Sequence, residues 1–228
     1  MLWPSVYLDQ TQMSEICVHH RIACKPRQWS AVSNRLSSEG AVKIGELGGS
    51  LYGLWRSQIG LPRDTITAIT VWPDTDAAVR MSDLLHDDDP DVDTVQLDLM
   101  SCTFRPEYTD PLRLQGNYAF EWFETPFEKF GEFLDLCEAA WPVFESSYDS
   151  LVIGLWRIEG NNEGPIQTLL MTWRPNLAMW ERSKNPTNVA EAIVREKLSQ
   201  LYDLCDWTTI YTNTLLPAND ASKEVQWS

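Results

Sequence analysis

The tetrapeptide GLWR occurs at residues 53–56 and again at residues 154–157, an offset of 101 positions (154 minus 53). A single shared tetrapeptide can arise by chance, but further matches at the same offset indicate an internal duplication. The further matches are Thr67 with Thr168, Trp72 with Trp173, Ala77 with Ala178 and Ser82 with Ser183. The sequence is therefore interpreted as two copies of one unit, placed at residues 1–110 and 111–228.

The segments around each GLWR follow one order: strand, helix, strand, strand, helix, strand. Partly alternating runs rich in β-branched and aromatic residues predict the strands. They lie at 16–23, 50–57, 65–72 and 94–100 in the first copy, and at 117–124, 150–158, 166–173 and 208–216 in the second. This βαββαβ order predicts a ferredoxin-like α+β unit, with both helices on one face of an antiparallel sheet. Residues 101–116, which carry two prolines and little periodicity, are predicted to be an irregular connection.

The helices of the second copy give the clearest signals. Thr125 is predicted to cap the first of them, with Pro126 in the first turn and Glu128 completing a capping box. Its apolar stripe is expected to be Phe127, Phe130, Leu134, Cys137 and Trp141. The second helix is expected to run from Asn176 to Leu204 with a break at Pro186. Its inner face is predicted from Val189, Ile193, Leu198 and Leu201.

A four-stranded sheet with helices on one side leaves its other face bare, and a bare aromatic face is unstable in water. Two such sheets in one chain can bury these faces against each other in an eight-stranded α/β barrel. The interior of a barrel of that size is filled by side chains or holds one small ligand. A small-molecule ligand is therefore expected between the sheets.

Composition narrows the class of partner and compartment. A net charge of −15, spread along the chain, disfavours nucleic acid and anionic lipid as partners. The sequence shows neither a signal-peptide pattern nor an apolar run long enough to span a bilayer. Five cysteines without CxxC spacing are typical of free, largely buried thiols in a reducing compartment. A cytoplasmic protein is the expectation.

The repeated strand ending in GLWR, the loop, the next strand ending in Trp and the helix after it resemble the NIPSNAP family of the dimeric α/β-barrel superfamily. The resemblance covers most of the chain as two tandem copies. It implies the ferredoxin-like fold and assembly into a homodimer. The wider superfamily includes cofactor-free monooxygenases, isomerases and heme-using enzymes, so the resemblance supports the fold more than any one reaction.

Three polar residues in predicted strands are candidates for chemistry. His19 and His20 are adjacent in a strand, so they point to opposite faces, and one of them could act as a general base inside the barrel. Alternation does not say which one faces inward, and His20 is preferred. Glu121 stands in the apolar run YAFEWF, opposite His20 or Arg21 in the repeat. Either its pKa is raised by burial or it pairs with a cation of the other copy. His20 and Glu121 are the predicted catalytic residues, and ordinary satisfied core residues are the alternative.

The predicted substrate-binding residues are His19, Arg21, Arg56, Arg157, Trp55 and Trp122. Arg56 and Arg157 end the two GLWR motifs and could clamp a carboxylate or phenolate between the copies. The alternative is that each pairs with an acidic neighbour. The repeated tryptophans are expected to pack the core, although some could line an aromatic pocket.

No metal site is predicted. The acidic run at residues 87–93 lacks the glycine and terminal glutamate of an EF-hand loop and is interpreted as a solvated turn. Serine-hydrolase, nucleotide-binding and zinc motifs are absent from the sequence. The leading hypothesis is a cofactor-independent enzyme that acts on a small aromatic or apolar substrate by proton transfer or oxygenation. The alternatives are a non-catalytic NIPSNAP-like binding protein, and a heme-binding barrel with a histidine axial ligand.

Overall fold

The computed structural model describes residues 15–84, 89–106, 112, 114–160 and 164–216, without the side chains of residues 80–84. The strands are β1 (Ile16–Cys24), β2 (Ser50–Ile59), β3 (Thr65–Trp72), β4 (Val92–Arg105), β5 (Asn117–Thr125), β6 (Leu151–Ile158), β7 (Ile166–Arg174) and β8 (Trp207–Leu215). The α-helices are α1 (Trp29–Arg35), α2 (Ala41–Glu46), α3 (Thr75–Leu84), α4 (Phe130–Tyr148), α5 (Leu177–Arg182) and α6 (Val189–Asp203). A π-helical turn at Leu36–Gly40 joins α1 to α2.

The strands form one closed antiparallel barrel in the order β1, β3, β2, β8, β5, β7, β6, β4. The runs β4-β1-β3-β2 and β8-β5-β7-β6 repeat one order, so each copy is a ferredoxin-like βαββαβ unit. Two seams join the copies, where β2 pairs with β8 and β4 pairs with β6. The predicted duplicated α+β barrel is confirmed, while the division into domains at residues 110 and 111 stays a prediction.

The seam between β4 and β6 corrects one expectation. Residues 101–105, predicted to be irregular, continue β4, and Cys102 there pairs with Trp156 of β6. The sequence signal is weak because this end of β4 alternates poorly and is followed by Pro106.

None of the helices in the described part of the chain has the length and apolar character of a bilayer span.

The buried side chains of the described residues form three cores. The outward face of the first copy packs against α1, α2 and α3, and the outward face of the second packs mainly against α4 and α6. The third core fills the barrel and contains the two repeated tryptophans, Trp55 and Trp156, among other aromatic residues. Trp55 makes edge contacts with Tyr118 and Phe120, with ring centroids 5.7 and 5.3 Å apart. Most of the barrel interior is therefore occupied by aromatic side chains.

The GLWR motif has a packing explanation. In each copy the glycine and the tryptophan two residues later share the inward face, and the indole ring lies over the glycine backbone. A Cβ on Gly53 or Gly154 would overlap the ring of Trp55 or Trp156. Glycine is thus required at both positions by close approach of a ring.

The β6–β7 hairpin of the second copy is out of register by one residue with the β2–β3 hairpin of the first copy. Trp55 pairs with Thr67, whereas its counterpart Trp156 pairs with Leu169. Trp72 therefore corresponds to Arg174. The constant offset of 101 predicts Trp173 at this position, and that prediction is wrong. Trp72 packs outward under the helices of the first copy, and Trp173 packs against the barrel interior.

Several helix details were also wrong. Thr125 belongs to β5 and caps nothing, and Phe127 is 75% exposed at the start of a short 3₁₀ turn. In α6, the predicted Leu198 and Leu201 do face the core, but Val189 and Ile193 are exposed, and Val194 is the buried apolar residue near the start of the helix. The break near Pro186 is confirmed, because α5 ends at Arg182 and α6 begins at Val189.

Gly53→Ala and Gly154→Ala are each expected to lower the free energy of unfolding by about 1–3 kcal/mol, because the new methyl group overpacks the barrel. Gly45→Ala in α2 is the matched control, since an added Cβ there meets no heavy atom within 4 Å. Alanine also has the better helix propensity, so the control should keep or slightly raise stability. Urea unfolding measures all three, and equal stability of the Gly53 and Gly45 variants would contradict the packing explanation.

Candidate functional site

One mouth of the barrel opens into a cleft of about 320 Å³. It lies where β1 and β5 end and where β4, β7 and β8 begin, beside the loop from β2 to β3. Its polar and aromatic lining includes Arg21, Gln96, Asp98, Trp122, Glu124 and Tyr211. These side chains come from inward-facing positions of four strands, so barrel closure is what brings them together.

A chain of hydrogen bonds forms the floor of this cleft. Nδ1 of His19 lies 3.0 Å from Oδ2 of Asp98, and Nε2 lies 3.1 Å from the hydroxyl oxygen of Tyr211. The indole N–H of Trp122 donates to that same Tyr211 oxygen at 3.3 Å. His19 is fully buried, whereas the Asp98 side chain is 16% exposed. The arrangement links a solvent-reachable carboxylate to a phenol through an enclosed imidazole.

One assignment of protons gives every hydrogen bond between Asp98, His19, Tyr211 and Trp122 one donor and one acceptor. Neutral His19 donates from Nδ1 to Asp98 and accepts the Tyr211 proton at Nε2, while Tyr211 accepts from Trp122. Burial lowers the pKa of His19 below its usual 6.5, and the hydrogen bond to Asp98 opposes that effect only in part. Burial also raises the pKa of Tyr211, although the positive charge of Arg21 counteracts it. A neutral imidazole facing a neutral phenol is therefore the resting state near pH 7.

Arg21 places a positive charge over the cleft floor. Its guanidinium carbon lies 5.7 Å from the ring centroid of Trp122 and 5.3 Å from that of Tyr211. One of its terminal nitrogens donates to Gln96 at 3.2 Å, and its buried Nε–H has no partner among the described residues. A cation held against two aromatic rings suits a planar, electron-rich or anionic ligand.

The predicted catalytic pair lies outside this cleft. His20 faces the helices of the first copy, with Nε2 2.9 Å from the hydroxyl of Thr70, so His19 is the inward histidine. Glu121 also faces outward and accepts a 2.7 Å hydrogen bond from Tyr202 of its own copy. Burial raises the pKa of Glu121 on this outward face, and its carboxylate pairs with none of the described residues of the first copy. Alternation along β1 and β5 explains both outcomes, because each residue is next to an inward-facing neighbour.

The structure does not bring together the two arginines of the predicted clamp. Arg56 follows the inward Trp55 and points outward, where its guanidinium lies 4.0 Å from the ring of Trp29. Arg157 follows the inward Trp156 in the same way, on β6. β2 and β6 stand four strands apart around the barrel, so the two arginines cannot grip one ligand. Of the predicted binding residues, His19, Arg21 and Trp122 meet at the cleft, and Trp55 packs the interior beneath.

Asp98 and Tyr211 are the members that sequence reasoning missed, although a signal was present. In residues 94–100, TVQLDLM, the apolar Val95, Leu97 and Leu99 alternate with polar residues. The apolar set packs against the outer core, which leaves Gln96 and Asp98 pointing into the barrel. A polar face opposite a helix-covered face therefore marks the lining of a cleft.

The described residues do not fit a metal or a heme at this cleft. No group of three His, Cys, Asp or Glu side chains within them is arranged to hold a metal ion. Both ring nitrogens of His19 are engaged, and His20 lies on the far side of the sheet, so neither presents a nitrogen to an iron in the cleft. In the acidic run, Asp89 and Asp91 pair with Arg35 and are not simply solvated.

No protein-family model matches the chain, and no curated protein is similar to it in sequence. Solved structures do match. An anthrone oxidase-like protein aligns over 90% of this chain and 92% of its own, with a TM-score of 0.59 and 9% identity. A protein provisionally named a monooxygenase, from Fusobacterium nucleatum, covers 90% and 94%, with a TM-score of 0.61 and 10% identity.

A mutant chlorite dismutase from Candidatus Nitrospira defluvii covers 92% of this chain and 94% of its own, with a TM-score of 0.59 and 7% identity. At such identities these likenesses concern the fold alone. The chain shares with these proteins the fold of an eight-stranded antiparallel barrel covered by helices.

Proposed function

We propose that the chain binds a small aromatic molecule in the cleft and acts on it as a cofactor-independent enzyme by proton transfer. The observation that carries this proposal is the buried chain from Tyr211 through His19 to Asp98, which opens on a cleft of about 320 Å³. That volume lies at the lower end of the range for small-molecule sites. A buried histidine with a hydrogen-bonded carboxylate behind it is an arrangement suited to general base catalysis.

The proton-transfer step follows from the resting hydrogen bonds. An acidic C–H or O–H of the substrate gives its proton to the oxygen of Tyr211 as the Tyr211 proton moves to Nε2 of His19. The electron pair of the broken bond stays on the substrate, which becomes an enolate or phenolate. The new imidazolium is stabilised by Asp98 at 3.0 Å, and the substrate anion by the charge of Arg21.

The lining and the fold point to the class of substrate. The rings of Trp122 and Tyr211 with the guanidinium of Arg21 favour a flat aromatic compound whose anion is delocalised. One protein of the same fold is named anthrone oxidase-like, and another is provisionally named a monooxygenase. Anthrone is therefore the probe of choice. Its anion can react with dioxygen without a cofactor, exchanging two methylene hydrogens for a carbonyl oxygen and releasing water.

Binding without catalysis is the second candidate. It is favoured by the barrel interior, where Trp55, Trp156 and Phe120 are fully buried and leave the cleft as the accessible part. This reading agrees with the NIPSNAP resemblance, which brings no settled catalytic motif. We further propose assembly into a homodimer, on the support of that resemblance, and a cytoplasmic location, on the support of five free cysteines.

Exchange of the acidic hydrogens of anthrone for deuterium, followed in D₂O without oxygen, tests the step directly. Tyr211→Phe and His19→Gln are each expected to slow enzyme-dependent exchange by about 100-fold or more, because the acceptor of the proton is lost. His20→Gln is the matched control, since it removes the neighbouring histidine from the other side of the sheet.

The control variant should exchange at the rate of the unaltered protein. Exchange that survives in Tyr211→Phe would contradict the relay. Quenching of tryptophan fluorescence by anthrone with no exchange by the unaltered protein would favour the binding-only candidate instead.

The pH dependence of exchange gives an independent check. The relay needs neutral His19, whose pKa burial lowers below 6.5. The rate should therefore be fully present at pH 7 and fall only as the pH drops through this lowered pKa. A rate that already halves at or above pH 6.5 would contradict a buried, neutral imidazole. Exchange rates measured on quenched samples between pH 5 and pH 8 distinguish these two outcomes.

A further inference from the structure

A second pocket lies outside the barrel, on the helix-covered face of the second copy. It is enclosed by β5, β7, α4 and α6 and by the short segment that follows α5. Apolar walls come from Trp141, Phe144, Leu170 and Leu198. The polar groups that line it are Glu121, Thr172, Arg174, Ser183, Lys184, Arg195 and Tyr202. The proposed relay uses none of these residues, because they stand on the opposite face of the sheet.

Arg174 is the central anomaly of this pocket. It is 6% exposed, and its Nη1 donates to the hydroxyl of Thr172 at 2.7 Å. Its guanidinium lies 5.2 Å from the ring centroid of Phe144. The Nε–H is buried and has no hydrogen-bond partner among the described residues. A buried guanidinium with an unmet donor is costly unless an acceptor is supplied.

The first copy shows that the fold does not need a cation here. Trp72 occupies the equivalent position, and its indole N–H donates to Thr70 at 2.8 Å, as Arg174 donates to Thr172. Trp72 closes the same space with an apolar ring whose single donor is satisfied. The second copy therefore carries a charge where packing alone is sufficient.

Positive charge exceeds negative charge in the pocket. Lys184 and Arg195 line it together with Arg174, and Glu121 is the carboxylate among the described lining residues. Glu121 accepts a hydrogen bond from Tyr202 at 2.7 Å, but it forms no ion pair within 4.0 Å with any of the three cations. Three positive charges thus face one negative charge, in a protein whose net charge is −15.

The enclosed setting makes this imbalance unfavourable in the absence of a ligand. Burial lowers the pKa of Arg174 to about 10, and burial together with the neighbouring cations lowers the pKa of Lys184. An added anion would relieve both effects and accept the unmet Nε–H. The pocket has a volume of about 40 Å³, which is room for roughly three water-sized groups.

We propose that this pocket binds the carboxylate group of a small organic acid. A carboxylate has three heavy atoms, and its two oxygens match the side of a guanidinium that carries the free Nε–H. Lys184 and Arg195 supply the remaining charge, and the carbon end of the acid points to the open side of the pocket, because the carboxylate itself takes up the volume inside. The site is distinct from the cleft in the barrel mouth and does not depend on its activity.

Thermal unfolding of the full chain at pH 7 tests the proposal with sodium acetate as the probe. Acetate is expected to raise the melting temperature in a saturable way, because a ligand that binds only the folded state stabilises it by mass action. Sodium chloride at equal ionic strength and the neutral analogue acetamide should give no saturable rise. An equal rise with chloride would overturn a carboxylate site.

Charge-removing variants locate the effect. Lys184→Gln and Arg195→Gln are each expected to raise the half-saturating acetate concentration about fivefold or more, since each removes a charged partner of the ligand. Arg174→Met should abolish the response. Lys197→Gln is the matched control, because it removes the same charge from α6 at a residue outside the pocket lining. An unchanged acetate response in both Lys184→Gln and Arg195→Gln would contradict the site, even if the Arg174 variant fails to fold.

Discussion

Closure of the sheet through its two seams is the constraint on which the rest of the structure depends. Because β2 pairs with β8 and β4 with β6, none of the eight described strands keeps a free edge, and each divides its side chains between an inward and an outward face. The outward faces are covered by helices, and the inward faces meet in one aromatic core. The surroundings of a side chain therefore depend first on whether its position in the strand faces inward or outward.

This alternation explains why the adjacent residues His19 and His20 have different surroundings. His19 lies beside Asp98 of the neighbouring strand β4 and reaches across the barrel interior to Tyr211, whereas His20 is bonded to Thr70 beneath the helices. The same rule separates Trp122, in the cleft, from Glu121, in the outer pocket. The duplication produces two similar βαββαβ units, which carry different residues at equivalent positions. The barrel can therefore carry one polar cleft inside and one charged pocket outside without conflict between them.

Much of the fold could be predicted from the sequence, because the GLWR repeat fixed the offset and the order of elements followed from local patterns. The strands were placed to within a few residues, apart from the end of β4, whose pairing is with a strand of the other copy. The inward histidine could not be chosen, since alternation gives two opposite faces without naming the inner one. Asp98 could have been found, because the apolar residues of 94–100 alternate with polar ones, but the strand pattern alone does not say that the polar side faces a cleft. Arg174 was missed because the repeat alignment slipped by one residue.

Nitrogen-15 NMR of the histidine rings, with the His19 signals assigned by means of the His19→Gln variant, is the decisive experiment for the relay, because it reports which ring nitrogen carries a proton. With Asp98 and Tyr211 on either side, the account predicts that His19 at pH 7 is neutral, with Nδ1 protonated and Nε2 bare. Its signal should hold that pattern until the pH falls below the usual range of histidine. A charged ring at pH 7, or a proton on Nε2, would contradict the account.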